Sequence, residues 1–288
     1  MAKQKNEEST SGESTALVER TPDQVLAESS IIAIRPESGM DAAIAANYAE
    51  GESLQFGDLI RVKVPSGGLT KWTVETLEGE ETVDKLQGAI VYYKPSGTLW
   101  PTDDETVEGT QPLLRTRDLV TAEQVGDDYG DINPDVLKEA RKRDEDGNPM
   151  STPDGRGLYD WQKLEYNKWG TGKKGIGKRC KETRMMCLLP DNANFPIFLQ
   201  VPPGSLKNVT RFMRMLTLPY WNYVISLELE KSVSTGWQAF SQIKKPRLIR
   251  SLDAIEAAAL KRIFVDTLDP AVDQVVAESI GDEDDVPF

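Results

Sequence analysis

The stretch Pro202 to Ile243, PPGSLKNVTRFMRMLTLPYWNYVISLELEKSVSTGWQAFSQI, decides the fold. Pro202, Pro203 and Gly204 break the strand before them. Ser205 stands where it can cap a helix over Leu206 to Leu216. Leu206, Val209, Phe212, Met213 and Leu216 recur at helical spacing, and Lys207, Arg211 and Arg214 share the other face. Two β-rich runs follow, Trp221 to Leu229 and Trp237 to Ile243. The segment from Lys231 to Gly236 joins them as a hairpin.

Working outward, strand-like runs lie upstream at Arg184 to Leu189 and Phe195 to Val201, and earlier at Leu59 to Val64, Trp72 to Leu77 and Ala89 to Lys94. Residues 1–30 read as a disordered leader, and Asp41 to Tyr48 as a short helix stopped by Gly51. Residues 95–182 form a long, loop-rich insertion with a short helix at Pro134 to Lys142. Downstream, a helix spans Leu252 to Leu268 and an acidic tail covers 269–288. There is no internal repeat. The expected class is mainly β (α+β), a core over 31–250 of about seven strands.

The chain has no His and two Cys, Cys180 and Cys187. That excludes a self-contained structural zinc site and His-based acid–base chemistry. No stretch reaches the roughly 18 apolar residues of a membrane span, and the polar N-terminus is no secretory signal. A cytoplasmic location is the expectation (the host's cytoplasm for a phage protein), with reduced thiols. Net charge is −13, but the distribution says more than the sum. Between Trp161 and Arg250 there are 16 Lys and Arg against 5 Asp and Glu. A basic middle between acidic ends suits a polyanion.

The richest stretch is Trp161 to Lys181, WQKLEYNKWGTGKKGIGKRCK. Trp161 and Trp169 interleave with Lys168, Lys173, Lys174, Lys178 and Arg179, and four glycines predict a mobile loop that lets backbone approach phosphate. Rings for stacking and cations for phosphates are what single-strand binding needs. Tyr92 and Lys94 share a strand face and make a second candidate, and Arg211 and Arg214 could follow the backbone path. Gly172 to Lys178 also fits G-x-x-x-x-G-K, but Arg179 replaces the Ser or Thr that would hold magnesium and no apolar strand precedes it. The acids Asp103, Asp104 and Glu105, and Asp127, Asp128 and Asp131, sit in turn-rich loops and read as solvated surface. No catalytic group, metal or cofactor is expected.

The last eight residues are GDEDDVPF. Pro287 limits backbone freedom, Phe288 joins an apolar ring to the α-carboxylate, and the acids upstream suit a basic rim. Glu283, Asp284, Asp285, Val286, Pro287 and Phe288 resemble the tip Asp-Asp-Asp-Ile-Pro-Phe of bacterial single-stranded-DNA-binding proteins and many phage equivalents. The resemblance covers only these residues. It implies a non-catalytic protein that coats single-stranded DNA with little sequence preference. It implies too that residues 283–288 recruit replication, recombination or repair proteins. It favours an OB-fold-like barrel with a long insertion, a helix before the last hairpin and a C-terminal helix. The strand pattern alone fits another small barrel nearly as well. A scaffold with such a tip that does not bind DNA, or a strand-annealing recombination protein, remains an alternative at this stage. The family's long Gly/Gln/Pro-rich linker is missing, and nothing in the chain sets an oligomeric state.

Overall fold

The computed structural model describes residues 60–76, 79–102, 111–191, 193, 196–233, 239–266 and 268. The expected leader, the helix at 41–48, Asp103 to Glu105, Trp237 and the tail with its tip lie outside the described residues. Twelve strands form one mixed sheet: β1 (Ile60–Lys63), β2 (Trp72–Thr76), β3 (Gly79–Val83), β4 (Lys85–Leu99), β5 (Leu114–Thr116), β6 (Thr121–Gln124), β7 (Leu158–Asp160), β8 (Lys181–Leu189), β9 (Ile197–Val201), β10 (Tyr223–Val233), β11 (Ala239–Ile243) and β12 (Arg247–Ser251). The helices are α1 (Pro134–Ala140), α2 (Pro203–Arg214) and α3 (Ala254–Leu260), the last running into a π-helical turn, Lys261–Val265.

The 15-residue β4 organises the sheet. Its Ala89-Ile90-Val91-Tyr92-Tyr93 centre is β-branched and aromatic, which suits a pleated surface buried on both sides. One edge pairs with β8 from Ala89 to Thr98. The other edge takes β10 over Lys85–Ala89 and β5 over Gly97–Leu99. A bulge at Val91 shifts the register between Ile90 and Tyr92 and bends the strand. From β8 the order runs through β9 to β1, a parallel pair, then to β2 and β3.

Side-chain alternation gives each face its own cover. On the inner face, Ile90, Met186, Leu188, Leu199, Ile225 and Leu227 pack with Val209 and Phe212 of α2. On the outer face, Tyr92, Cys187, Phe198 and Val224 pack under Ala257, Leu260, Phe264 and Leu268 of the C-terminal helix. The helix start is fixed by a reciprocal capping box between Asp253 and Glu256. Glu256 also takes both arms of Arg250, at 3.0 and 3.2 Å.

Ser205 does not cap α2. The helix begins at Pro203, and the buried Ser205 Oγ accepts instead from the Ile243 backbone N–H at 2.9 Å. Asn208 Nδ2 donates to the Ile243 carbonyl at the same distance. Together they satisfy the outer edge of β11, where an edge strand would otherwise offer unpaired groups. The barrel expected from the sequence does not close. Among the described strands, pairing runs from β3 to β7 with no hydrogen bonds joining the ends. The sheet curls nonetheless: a Cβ on Gly68, in the β1–β2 turn, would lie 2.8 Å from Lys231 and 3.3 Å from Ala239.

The segment expected as a loop-rich insertion does hold long stretches outside regular elements, but it also adds strands to the sheet. Pro95–Leu99 and Lys181–Glu182 belong to β4 and β8, and β5, β6 and β7 extend the sheet. Leu99, Leu114, Leu137, Tyr159, Trp161 and Leu164 make a core of their own.

Candidate nucleic-acid interface

The C-terminal helix covers only one end of the outer face. Beyond Tyr92 and Phe198 the same face turns polar. Register places Arg61 opposite Phe198, Lys94 opposite Met185, Met185 opposite Gln200 and Ser96 opposite Thr183. Thr98 stands opposite both Lys181 and Arg115. Directly paired residues point to one face, so Arg61, Lys94, Lys181 and Arg115 share the outer face in a diagonal row, Arg61 level with Tyr92, Lys94 next, and Lys181 and Arg115 level with Thr98, with the buried Ser96 and Thr183 between them. None of the three hydrophobic clusters reaches beyond Met185 into this row. Lys94 marks the border, its Nζ 6.0 Å from the centre of the Tyr92 ring.

The 161–181 stretch leads straight into this row. Lys181 Nζ donates to the Lys178 carbonyl at 3.2 Å. The stretch is not the mobile loop that its glycines suggest. Gly170 and Gly172 N–H both reach the Gly177 carbonyl, at 2.7 and 3.2 Å, and Gly175 N–H reaches Gly172 at 2.9 Å. Thr171 Oγ1 donates to the Tyr166 and Lys168 carbonyls and accepts from the Arg179 N–H. Gly170, Gly175 and Gly177 have positive φ, so the glycines serve a tight bonded turn. The turn holds Trp169 out at 80% exposure and Ile176 at 62%. Lys168, Lys173 and Lys174 flank them and are exposed.

Several expected contacts are corrected by burial or pairing. Tyr92 is 2% exposed beneath the C-terminal helix, so its ring is no platform. Trp161 is fully buried, packed where a Cβ on Gly97 would lie 2.6 Å from its ring. Arg179 is a structural residue: its guanidinium makes a two-armed ion pair with Asp131, donates to the Pro101 carbonyl at 2.9 Å and lies over the Tyr166 ring. That ion pair holds the Asp131 carboxyl below the usual carboxylate range. Lys178 is tied to Asn167 and Glu182 at 3.1 and 2.9 Å. Lys168 pairs with Glu165, though both side chains remain more than half exposed. Arg211 and Arg214 are exposed on α2. Because α2 covers the inner face, they lie across the sheet from Lys94 and Lys181.

Arg61 and Arg115 were not singled out in sequence. The signal was there in short form: polar residues at alternate positions in Arg61-Val62-Lys63, Lys94-Pro95-Ser96-Gly97-Thr98 and Lys181-Glu182-Thr183. Both thiols are buried, and burial pushes the Cys180 and Cys187 pKa values well up, which disfavours the thiolate form. The P-loop-like Gly172 to Lys178 holds one 3-10 turn ahead of a strand and opens no helix. Among the described residues no acidic, Cys or His group could hold a metal ion, and no helix is long and apolar enough to cross a membrane. No protein-family model, curated protein or solved structure matches the chain.

Proposed function

We propose that the chain binds single-stranded DNA without catalysis. Phosphates would run along the Arg61–Lys94–Lys181 row and a base would stack on Trp169. The observation that carries this reading is the junction of the two. The polar end of the outer face bears the cations, and the exposed tryptophan stands on the turn that enters it at Lys181. Cations tracking a backbone beside a stacking ring need no sequence reading.

The connectivity supports an OB-like frame. Strands β4, β8 and β9, then α2, then β10 and β11, follow the order of a five-stranded, partly open Greek-key barrel. Its first strand is long, bulged and shared between β8 and β10. In such barrels the second and third strands and the first connecting loop take oligonucleotides. Here those are β8, β9 and the segment that carries Trp169. By resemblance, residues 283–288 recruit replication, recombination or repair proteins to the coated strand.

Tryptophan quenching by oligo-dT tests the proposal. Among the described tryptophans Trp72 and Trp161 are fully buried, Trp100 and Trp221 are half-buried and Trp169 is 80% exposed, so Trp169 should supply the largest share of their change. Submicromolar, salt-sensitive quenching that Trp169→Phe sharply reduces is the expected result. Absence of quenching and of binding at 50 mM salt would reject the reading.

A further inference from the structure

Ile176 has no part in the reading above, yet it is 62% exposed on the same turn as Trp169. Apolar side chains scattered singly over a surface are ordinary. These two are not scattered. A Cβ on Gly170 would lie 4.0 Å from the Gly175 carbonyl oxygen, and a Cβ on Gly175 would lie 3.9 Å from that of Gly170. Trp169 precedes the first of these glycines and Ile176 follows the second. The backbone therefore brings the two apolar residues to one place.

That backbone is bonded and strained. Gly170 N–H donates to the Gly177 carbonyl at 2.7 Å, and Ile176 N–H to the Lys173 carbonyl at 3.1 Å. Lys174 adopts a left-handed conformation, φ 55° and ψ 26°, which a lysine disfavours. Neither Trp169 nor Ile176 belongs to the three cores, so the fold gains nothing from burying them. A strained turn that presents an apolar pair to water points to a ligand.

The turn's other groups say which kind. Lys173 and Lys174 are exposed between the two apolar residues, and Lys181 at the end of the stretch bonds to the Lys178 carbonyl. Apolar groups among cations match bases among phosphates. A branched aliphatic chain has no ring face on which a base can stack. Ile is instead among the side chains that enter between base steps and unstack them.

We propose that Trp169 and Ile176 form a wedge that parts neighbouring stacked bases, so that the turn opens duplex ends as well as holding free strands. This rests on the DNA-binding reading, and it makes the junction between duplex and single strand a substrate of the same site.

The test uses the full chain and a DNA hairpin that carries an oligo-dT arm. The base pair next to the arm contains 2-aminopurine, whose emission rises on unstacking. Any single-strand binder opens a duplex end by mass action, so emission is compared with the arm saturated. The wild type should then raise the emission. Ile176→Ser should lose most of that rise, and Ile176→Leu should keep it. On oligo-dT alone, whose thymines stack weakly, Ile176→Ser should bind within about twofold of the wild type. No rise in the wild type with the arm saturated overturns the wedge and leaves the DNA-binding reading standing. An Ile176→Ser variant that opens the hairpin like the wild type overturns the wedge too, and assigns the apolar pair to a protein partner. Failure of the wild type to bind oligo-dT overturns the wedge and the reading together.

Discussion

Removing Lys94 and Lys181 together should change how DNA binding responds to salt, by an amount the row itself sets. Arg61, Lys94 and Lys181 supply three cations on the outer face, and Lys173 and Lys174 supply two on the adjoining turn. If each neutralises one phosphate of a single strand, the slope of log affinity against log salt is about −0.7 per contact, or about −3.5 in all. From 50 to 200 mM salt the wild type should weaken roughly 100-fold. Lys94→Ala with Lys181→Ala should bring the slope to about −2 and the loss to roughly 20-fold. Anisotropy of labelled oligo-dT across that range measures both. The control is Lys207→Ala with Arg211→Ala and Arg214→Ala, which removes three exposed cations from α2 across the sheet. It should leave the slope unchanged. If the α2 triple flattens the slope and the outer-face double does not, the path has been placed on the wrong side of the sheet.

Arg179→Ala should destabilise the fold by about 2–3 kcal/mol in denaturant, because it removes charged hydrogen bonds to Asp131 and to the Pro101 carbonyl. The ion pair lowers the folded-state pKa of Asp131, so its contribution is full above about pH 4. It is lost as pH falls through the lowered value, and the stability gap between wild type and Asp131→Asn should close there. Gly97→Ala should cost about 1–3 kcal/mol by overpacking, since the new Cβ would meet the Trp161 ring at 2.6 Å and Thr116 at 2.9 Å. Deleting Phe288 should abolish capture of partner proteins while oligo-dT affinity holds or improves, and equal capture by the shortened chain would contradict a role for the tip.

What could be read from the sequence was whatever local pattern decides. The α2 stripe of Val209 and Phe212, the β10–β11 hairpin and the C-terminal helix all appear where periodicity puts them, within a few residues. Strands whose residues are small, acidic or few escaped notice. Gly79–Val83 is GEETV, and Leu114–Thr116 and Leu158–Asp160 are three residues each, too short to show alternation. They are strands because β2, β4 and β6 pair with them. The site divides the same way. Composition found the Trp169 turn, but it could not tell Trp169 from Trp161, because burial follows from the Gly97 notch that receives one ring. Nor could it assemble the cationic row, whose members come from separate strands and meet only through register. The same limit hid the role of Arg179, whose partner lies 48 residues away.

The Trp169 turn offers the clearest separation between a flexible loop and a built one. Gly172 has an ordinary φ of −77°, so any residue could take its backbone conformation. What forbids a side chain is space: an added Cβ would lie 2.3 Å from the Ile176 carbonyl oxygen. Gly177 is the reverse, with φ of 71° and nothing within 4 Å of an added Cβ. In a mobile loop, Gly172→Ala would relax into another conformer and Trp169 would still find its base. In the bonded turn it must break the Gly172–Gly177 and Gly175–Gly172 hydrogen bonds and release Trp169 from its fixed place on the turn. Gly172→Ala should therefore weaken oligo-dT by nearly as much as Trp169→Ala, about 1–3 kcal/mol for one stacked base. Gly177→Ala should cost only the strain of a left-handed alanine, roughly 1 kcal/mol of turn stability. Thermal unfolding of both variants should stay near the wild type, since neither glycine belongs to the three cores. If Gly172→Ala binds oligo-dT like the wild type, the ring does not need a fixed mount, and the turn's hydrogen bonds have no part in binding.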